Sequence, residues 1–139
     1  MRKILVDTSA WLGGVIGGDQ HAEGARAFFT QLRAKGVELH STDYIFDEAV
    51  TRANRIGGHR AAVALGETIL ESVAGELIEV DRSLREEAWR LFRKFDDQQL
   101  SFTDCTSIAA MTRYHISDVF SFDDDFRRVG VSTIPHKRK

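Results

Sequence analysis

One cysteine and one proline stand among 139 residues. A lone Cys105 excludes an internal disulfide, and with it the small secreted scaffolds that depend on such bridges, so a reducing cytoplasm is the expected setting. Pro135 is the only proline and no low-complexity segment interrupts the chain, which leaves no place for an internal domain boundary. No apolar run approaches the roughly 20 residues that a membrane-spanning helix needs. A secretory leader is not expected either, since Met1-Arg2-Lys3 runs straight through Ile4-Leu5-Val6 into the charge of Asp7. Charge of one sign is also missing. The net charge is -2, with 8 basic and 8 acidic residues in positions 1–70 and 11 and 13 in positions 71–139. Nucleic-acid binding would therefore have to come from local patches.

What remains is an ordinary globular composition, 42% hydrophobic and 29% charged, of a length that suits one domain over residues 1–139 with a flexible tail at 135–139. Short β-rich runs occur at 4–6, 37–40, 77–80 and 119–122, with a weaker fifth at 131–134. Helical stripes lie between them. Ala25, Phe28, Phe29 and Leu32 form one apolar face; Ala62, Leu65, Ile69 and Val73 form a second; Leu84, Ala88, Leu91, Phe92 and Phe95 form a third. Strands alternating with helices predict a three-layer α/β fold, a central parallel sheet of four to five strands flanked by helices. In such sheets, ligands bind beyond the carboxyl ends of the strands. The residues to weigh are thus those that follow each strand.

The stretch 119–126 reads VFSFDDDF, three consecutive carboxylates at the end of an apolar run. Asp7 follows the first strand in the same way. Each acid has an ordinary explanation. Asp7 can cap the helix that contains Trp11, and Asp123, Asp124 and Asp125 suit the first turn of a helix through Phe126. Asp104 falls in the first turn of a buried helix with Ser101 or Thr103 as its cap. Glu48 has Arg52 four residues on, the orientation of an exposed ion pair, in a helix with Ile45, Ala49, Ala53 and Ile56 near one face. Asp47 is a neighbouring acid.

Taken together and in order, the phrases around these acids carry more. ILVDTSAW, DEAVTRANR, SFTDCTSIAAM and FSFDDDF resemble the four motifs of the PIN-domain ribonucleases, particularly the VapC-type toxins of toxin–antitoxin pairs, over essentially the whole chain. The resemblance implies a PIN-like domain whose acidic quartet is Asp7, Glu48, Asp104 and Asp123. Asp7, Asp104 and Asp123 would be metal ligands, Glu48 would act through a water, and Asp125 is a lesser candidate. Ser9 and Ser121 match supporting polar positions. It further implies Mg²⁺ or Mn²⁺ as cofactor, an RNA substrate, a neutralising antitoxin as partner, and a homodimer. All-oxygen carboxylate sites are what hard divalent cations prefer, and such ions serve phosphodiester hydrolysis. Arg52, Arg55 and Arg113 are candidates for substrate phosphates, with Arg127 and Arg128 following the last motif. For each arginine a solvated surface ion pair is the plainer account.

Other signals lead nowhere. The glycine-rich GGVIGGD at 13–19 lacks the Lys-Ser/Thr ending of a P-loop and reads as a flexible helix exit. The five histidines show no zinc-ligand spacing. Cys105 has no evident positioned base and reads as a packing residue. No RNA-recognition RNP sequence is present. Two other functions stay open: a PIN-like module that only binds protein, and a phosphohydrolase or phosphotransfer domain with a strand-end carboxylate. Against the latter, Ser9 stands where a dehalogenase-like phosphatase would carry a second aspartate.

Overall fold

The computed structural model describes residues 2–16 and 22–136. It begins with strand β1 (Lys3–Val6), whose Ile4, Leu5 and Val6 are fully buried, and helix α1 (Thr8–Val15). Helix α2 (Ala22–Ala34) leads to β2 (Glu38–His40), then α3 (Asp43–Gly57), α4 (His59–Ser72), α5 (Arg82–Lys94) and α6 (Phe102–Arg113). The chain closes with β3 (Asp118–Phe120), the short α7 (Asp125–Arg128) and β4 (Thr133–Ile134). Four parallel strands run in the order β2-β1-β3-β4. Strand order reverses at β1, and the register Val6↔Phe120 brings the exits of β1 and β3 side by side. That crevice is where a parallel sheet presents a ligand site. No helix among the described residues is long and apolar enough to cross a membrane.

The run 77–80 does not add a fifth strand. It makes one bridge, Thr42↔Ile78, because Thr42 leaves β2 to cap α3 with its side chain and the partner turns away after a single pair. The Val80 N–H is satisfied by Asp43 Oδ1 at 3.1 Å instead of by a ladder. The expected helical stripes form, with two residues off the core. Ile56 is 62% exposed on α3 and Phe92 is 39% exposed on α5, while Ala49, Ala53, Leu84, Ala88 and Leu91 are buried. Of the 135–139 tail, residues 137–139 lie outside the described residues, as do 17–19 of the glycine-rich stretch.

Helix α1 carries the first acid, so its placement matters. Trp11 stacks on Phe29 of α2 at 5.4 Å, and its indole N–H donates to Ser41 Oγ at 3.2 Å. Ser41 in turn donates to the Val6 carbonyl at 2.9 Å, tying helix, β1 and the exit of β2 together. Gly14 lies in the last turn of α1, which ends at Val15 within the glycine-rich stretch as expected, and it also belongs to this packing. A Cβ there would meet Phe29 ring carbons at 2.6 and 2.9 Å, and that ring is held between Trp11 and Phe120. Gly14→Ala gains helix propensity but overpacks the α1–α2 contact, so thermal unfolding should show a net loss of about 1–2 kcal/mol. An unchanged or raised Tm would contradict this account of the contact.

Candidate active site

The crevice between β1 and β3 is closed by a hydroxyl network. The Asp7 N–H donates to the Phe120 carbonyl at 2.9 Å, fixing the two strand exits against each other. Ser121 Oγ donates to Asp7 Oδ2 at 2.9 Å and accepts the Asp123 N–H at 3.1 Å. Ser9 Oγ accepts the Phe122 N–H at 3.0 Å, lies 3.2 Å from Ser121 Oγ and 3.4 Å from Asp7 Oδ2. The two serines thus bind the first and last motifs to each other. Asp7 occupies the N-cap position of α1, yet its side chain makes no capping hydrogen bond. The capping explanation fails for this residue, whose carboxylate is turned to the β1–β3 crevice.

Burial has a large electrostatic consequence. Asp7 is buried, and desolvation, reinforced by the negative charges of Asp104 and Asp123, pushes its pKa up from 3.8 to about 7, against the hydrogen bond from Ser121. Asp104 is raised to about 6, again chiefly by desolvation, with Asp125 and Glu48 adding repulsion. Five acids from four separated segments therefore share one electrostatic neighbourhood: Asp7, Glu48, Asp104, Asp123 and Asp125. Asp104 also serves its helix. Its Oδ2 accepts the Ser101 N–H at 3.1 Å while Ser101 Oγ accepts the Asp104 N–H at 3.0 Å, a reciprocal capping box. The ordinary and the functional explanations hold together here, since the box fixes the carboxylate's position.

Asp123 is exposed and Asp125 half-buried, the latter paired with Arg128 at 3.0 Å. Asp124 pairs with Arg127 at 3.2 Å. Glu48 forms no ion pair with Arg52; both line a cleft of about 620 Å³ with Tyr44, Asp47, Arg55 and Thr103. Arg113 stands apart, donating to both Asp81 oxygens at 3.2 and 3.0 Å and to Ser83 at 2.6 Å, and it lines a different hollow. Burial and the adjacent Asp104 push the Cys105 thiol up to about 11, which suits a packing residue and not a nucleophile.

Thr8, Tyr44 and Thr103 were not among the sequence candidates and lie beside these acids, Tyr44 and Thr103 in the same cleft as Glu48. Thr8 Oγ1, beside Asp7, is the one buried side-chain polar atom among the described residues without a protein hydrogen-bond partner. Tyr44 and Thr103 could have been found from spacing, since Tyr44 precedes Glu48 by one helical turn and Thr103 precedes Asp104. The donor set of carboxylates and hydroxyls fits a hard divalent cation by its chemistry. Among the described residues, no three His, Cys, Asp or Glu side chains converge closely enough to cage an ion as they stand.

The PIN domain family matches residues 4–132. The 23S rRNA-specific endonuclease VapC20 of Mycobacterium tuberculosis is 34% identical over 128 residues, 91% of this chain and 94% of that protein. The crystal structure of M. tuberculosis VapC20, a sarcin–ricin loop cleaving toxin, is similar with a TM-score of 0.81 at 32% identity, over 92% of this chain and 95% of that one. FitAB bound to a DNA fragment shares the fold with a TM-score of 0.72 at 16% identity, over 98% of each chain. So does VapBC2 of Rickettsia felis bound to promoter DNA, at 0.71 and 8%, over 94% and 96%. With a match that runs from the first strand to the edge of the last, and a relative of this identity along nearly its whole length, the chain belongs to the PIN-domain family, among its VapC-type toxins.

Proposed function

We propose that this chain is a metal-dependent endoribonuclease, the toxin of a type II toxin–antitoxin pair, whose reaction centre is the carboxylate cluster at the β1–β3 crevice. The observation that carries the reading is the joining of the β1 and β3 exits, where the Asp7 amide meets the Phe120 carbonyl and the buried Asp7 carboxylate accepts from Ser121 Oγ, which also holds the Asp123 amide; burial and the neighbouring Asp104 raise the Asp7 pKa there. Groups perturbed by burial and like charge, set in a strand-end crevice, are what a reaction centre requires and a fold does not. Asp7, Asp104 and Asp123 would hold a Mg²⁺ or Mn²⁺ ion, with Asp125 as a further oxygen donor. Such an ion supplies positive charge that acidifies an attacking water and offsets charge on the phosphoryl oxygens. Glu48 orients the water from α3. Ser9 and Ser121 hold Asp7 and the Asp123 backbone at fixed separation. Arg52 and Arg55, in the same cleft as Glu48, bind phosphates that flank the cut.

The substrate class follows from the 23S rRNA named for VapC20; a structured RNA is the substrate proposed here. An antitoxin partner follows likewise from VapBC2. A cationic side chain from that partner would neutralise the acidic cluster by occupying the place of the ion. A homodimer in the cytoplasm completes the proposal.

Two outcomes test it. Purified Asp7→Asn and Asp104→Asn proteins should lose RNA cleavage by at least about 100-fold while keeping the parent's circular dichroism; full activity in either would refute the assignment. The second is a stability measurement. A carboxylate raised from 3.8 to about 7 binds its proton more tightly in the folded state, so folding stability falls as pH climbs between those values. Without metal, Asp7→Asn should be more stable than the parent at pH 8 by about 1–3 kcal/mol, a difference that shrinks to nothing near pH 4. Denaturant unfolding at both pH values checks this, and a less stable variant at pH 8 would show that Asp7 is not held at electrostatic cost.

A further inference from the structure

Three hydroxyl side chains stand around Asp7, and two of them are engaged. Ser121 Oγ donates to the Asp7 carboxylate and accepts the Asp123 N–H. Ser9 Oγ accepts the Phe122 N–H and lies within reach of both Ser121 and Asp7. Thr8 differs. It is 2% exposed, and its Oγ1 has no protein hydrogen-bond partner. Buried hydroxyls are ordinarily paired, with protein or with an ordered water, because an apolar surrounding offers no replacement for the bonds that bulk water gave. Other buried hydroxyls of this chain keep that rule. Thr42 accepts the Ile45 N–H, Ser41 donates to the Val6 carbonyl, and Thr106 and Ser107 both donate to the Thr103 carbonyl.

The place of Thr8 in the fold sets its hydroxyl beside the acids. Thr8 is the first residue of α1, directly after Asp7 at the N-cap position. Side chains of an α-helix lean toward its N-terminus, so the first residue of α1 leans back toward the strand exits. The Thr8 backbone amide acts on the Asp7 carboxylate and favours its ionisation, against the burial that raises its pKa. One helical step turns Thr8 by about 100° from Ser9, away from the β3 side that Ser9 and Ser121 close. Helix α3, which carries Glu48, also packs against α1.

The carboxylates leave a role for such a hydroxyl. Among the described residues, no three acids, histidines or cysteines converge closely enough to cage an ion. A divalent cation held there would keep part of its hydration shell, as Mg²⁺ does in most protein sites. Waters of that shell need protein groups to orient them. Ser9 and Ser121 already hold Asp7 and the backbone of the last motif, whereas Thr8 Oγ1 has its proton and both lone pairs to offer. We propose that Thr8 is a positioning residue of the cation site, its Oγ1 hydrogen-bonded to the hydration shell of a divalent cation held at Asp7. This rests on the metal-dependent reading of the cluster and adds to it a residue that is not a carboxylate. A structural water unconnected with the cation is the rival occupant, and it predicts a different pattern in the variants.

Two substitutions separate these cases. Thr8→Val keeps the shape of the side chain and removes the hydroxyl, while Thr8→Ser keeps the hydroxyl and removes a methyl group. Both variants and the parent are freed of metal, and thermal unfolding is followed at pH 8 as Mn²⁺ is titrated in. Without metal, Thr8→Val should unfold no lower than the parent, since the hydroxyl it loses pairs with no protein group. Thr8→Ser should unfold at a lower temperature, because it leaves a small void in a buried site. With Mn²⁺ the order reverses: the affinity obtained from the rise in Tm should be about tenfold weaker in Thr8→Val and unchanged in Thr8→Ser. Equal Mn²⁺ affinity in the parent and Thr8→Val overturns the proposal, and a lower metal-free Tm in that variant would then identify the structural water. Weakened Mn²⁺ binding in Thr8→Ser also overturns it, an arm that does not depend on Thr8→Val folding. A parent indifferent to Mn²⁺ removes the cation reading itself and the role of Thr8 with it. A parent that binds Mn²⁺ but cuts no RNA removes the nuclease and leaves the role of Thr8 to stand on the affinities.

Discussion

Carboxylates held together at the ends of buried strands repel one another, and much of this structure arranges for that repulsion to be tolerated. Asp7 is buried with other acids near, which raises its pKa well above the usual carboxylate range. What keeps it there is a framework that owes nothing to charge. The Val6↔Phe120 register, the Asp7 amide on the Phe120 carbonyl and the two serine hydroxyls hold β1 and β3 together at their exits. The indole of Trp11 and the missing side chain at Gly14 settle α1 onto α2 directly behind Asp7. A fold that spends stability to keep acids together at one edge is organised around that edge.

Asp104 shows how one residue can satisfy the helix and the site at once. One carboxylate oxygen closes the capping box with Ser101, which fixes the start of α6. Beside it, Phe102 lies 6.3 Å from the Tyr44 ring and Thr103 lines the arginine-containing cleft. Local capping chemistry thereby fixes one of the acids of the crevice beside the arginine-lined cleft.

The parts of this arrangement legible in the sequence are those set by local chemistry and strand-end logic. Asp7 after Ile4-Leu5-Val6, Asp104 after Ser101, and the serines two residues from Asp7 and Asp123 could all be read from the chain because each depends on residues nearby. The run 77–80 misled because strand pairing depends on the partner, and Thr42 ends that partner by starting a helix. Ile56 and Phe92 share the period of their stripes but lie at the margins, where periodicity cannot say which neighbour covers them. The stretch 13–19 read as a helix exit, where α1 does end, but the packing role of Gly14 was hidden because the ring that needs its space comes from α2.

The central claim is that the acids at the β1–β3 crevice are kept together for a cation. Its most direct test is thermal unfolding at pH 8 with Mn²⁺ titrated into metal-free protein, run on the parent and on Asp104→Asn. The account predicts a Tm that rises with Mn²⁺ in the parent, as binding to the folded state alone requires, and a response lost or strongly weakened in the variant. A parent Tm indifferent to Mn²⁺, or an equal rise in both proteins, would contradict it.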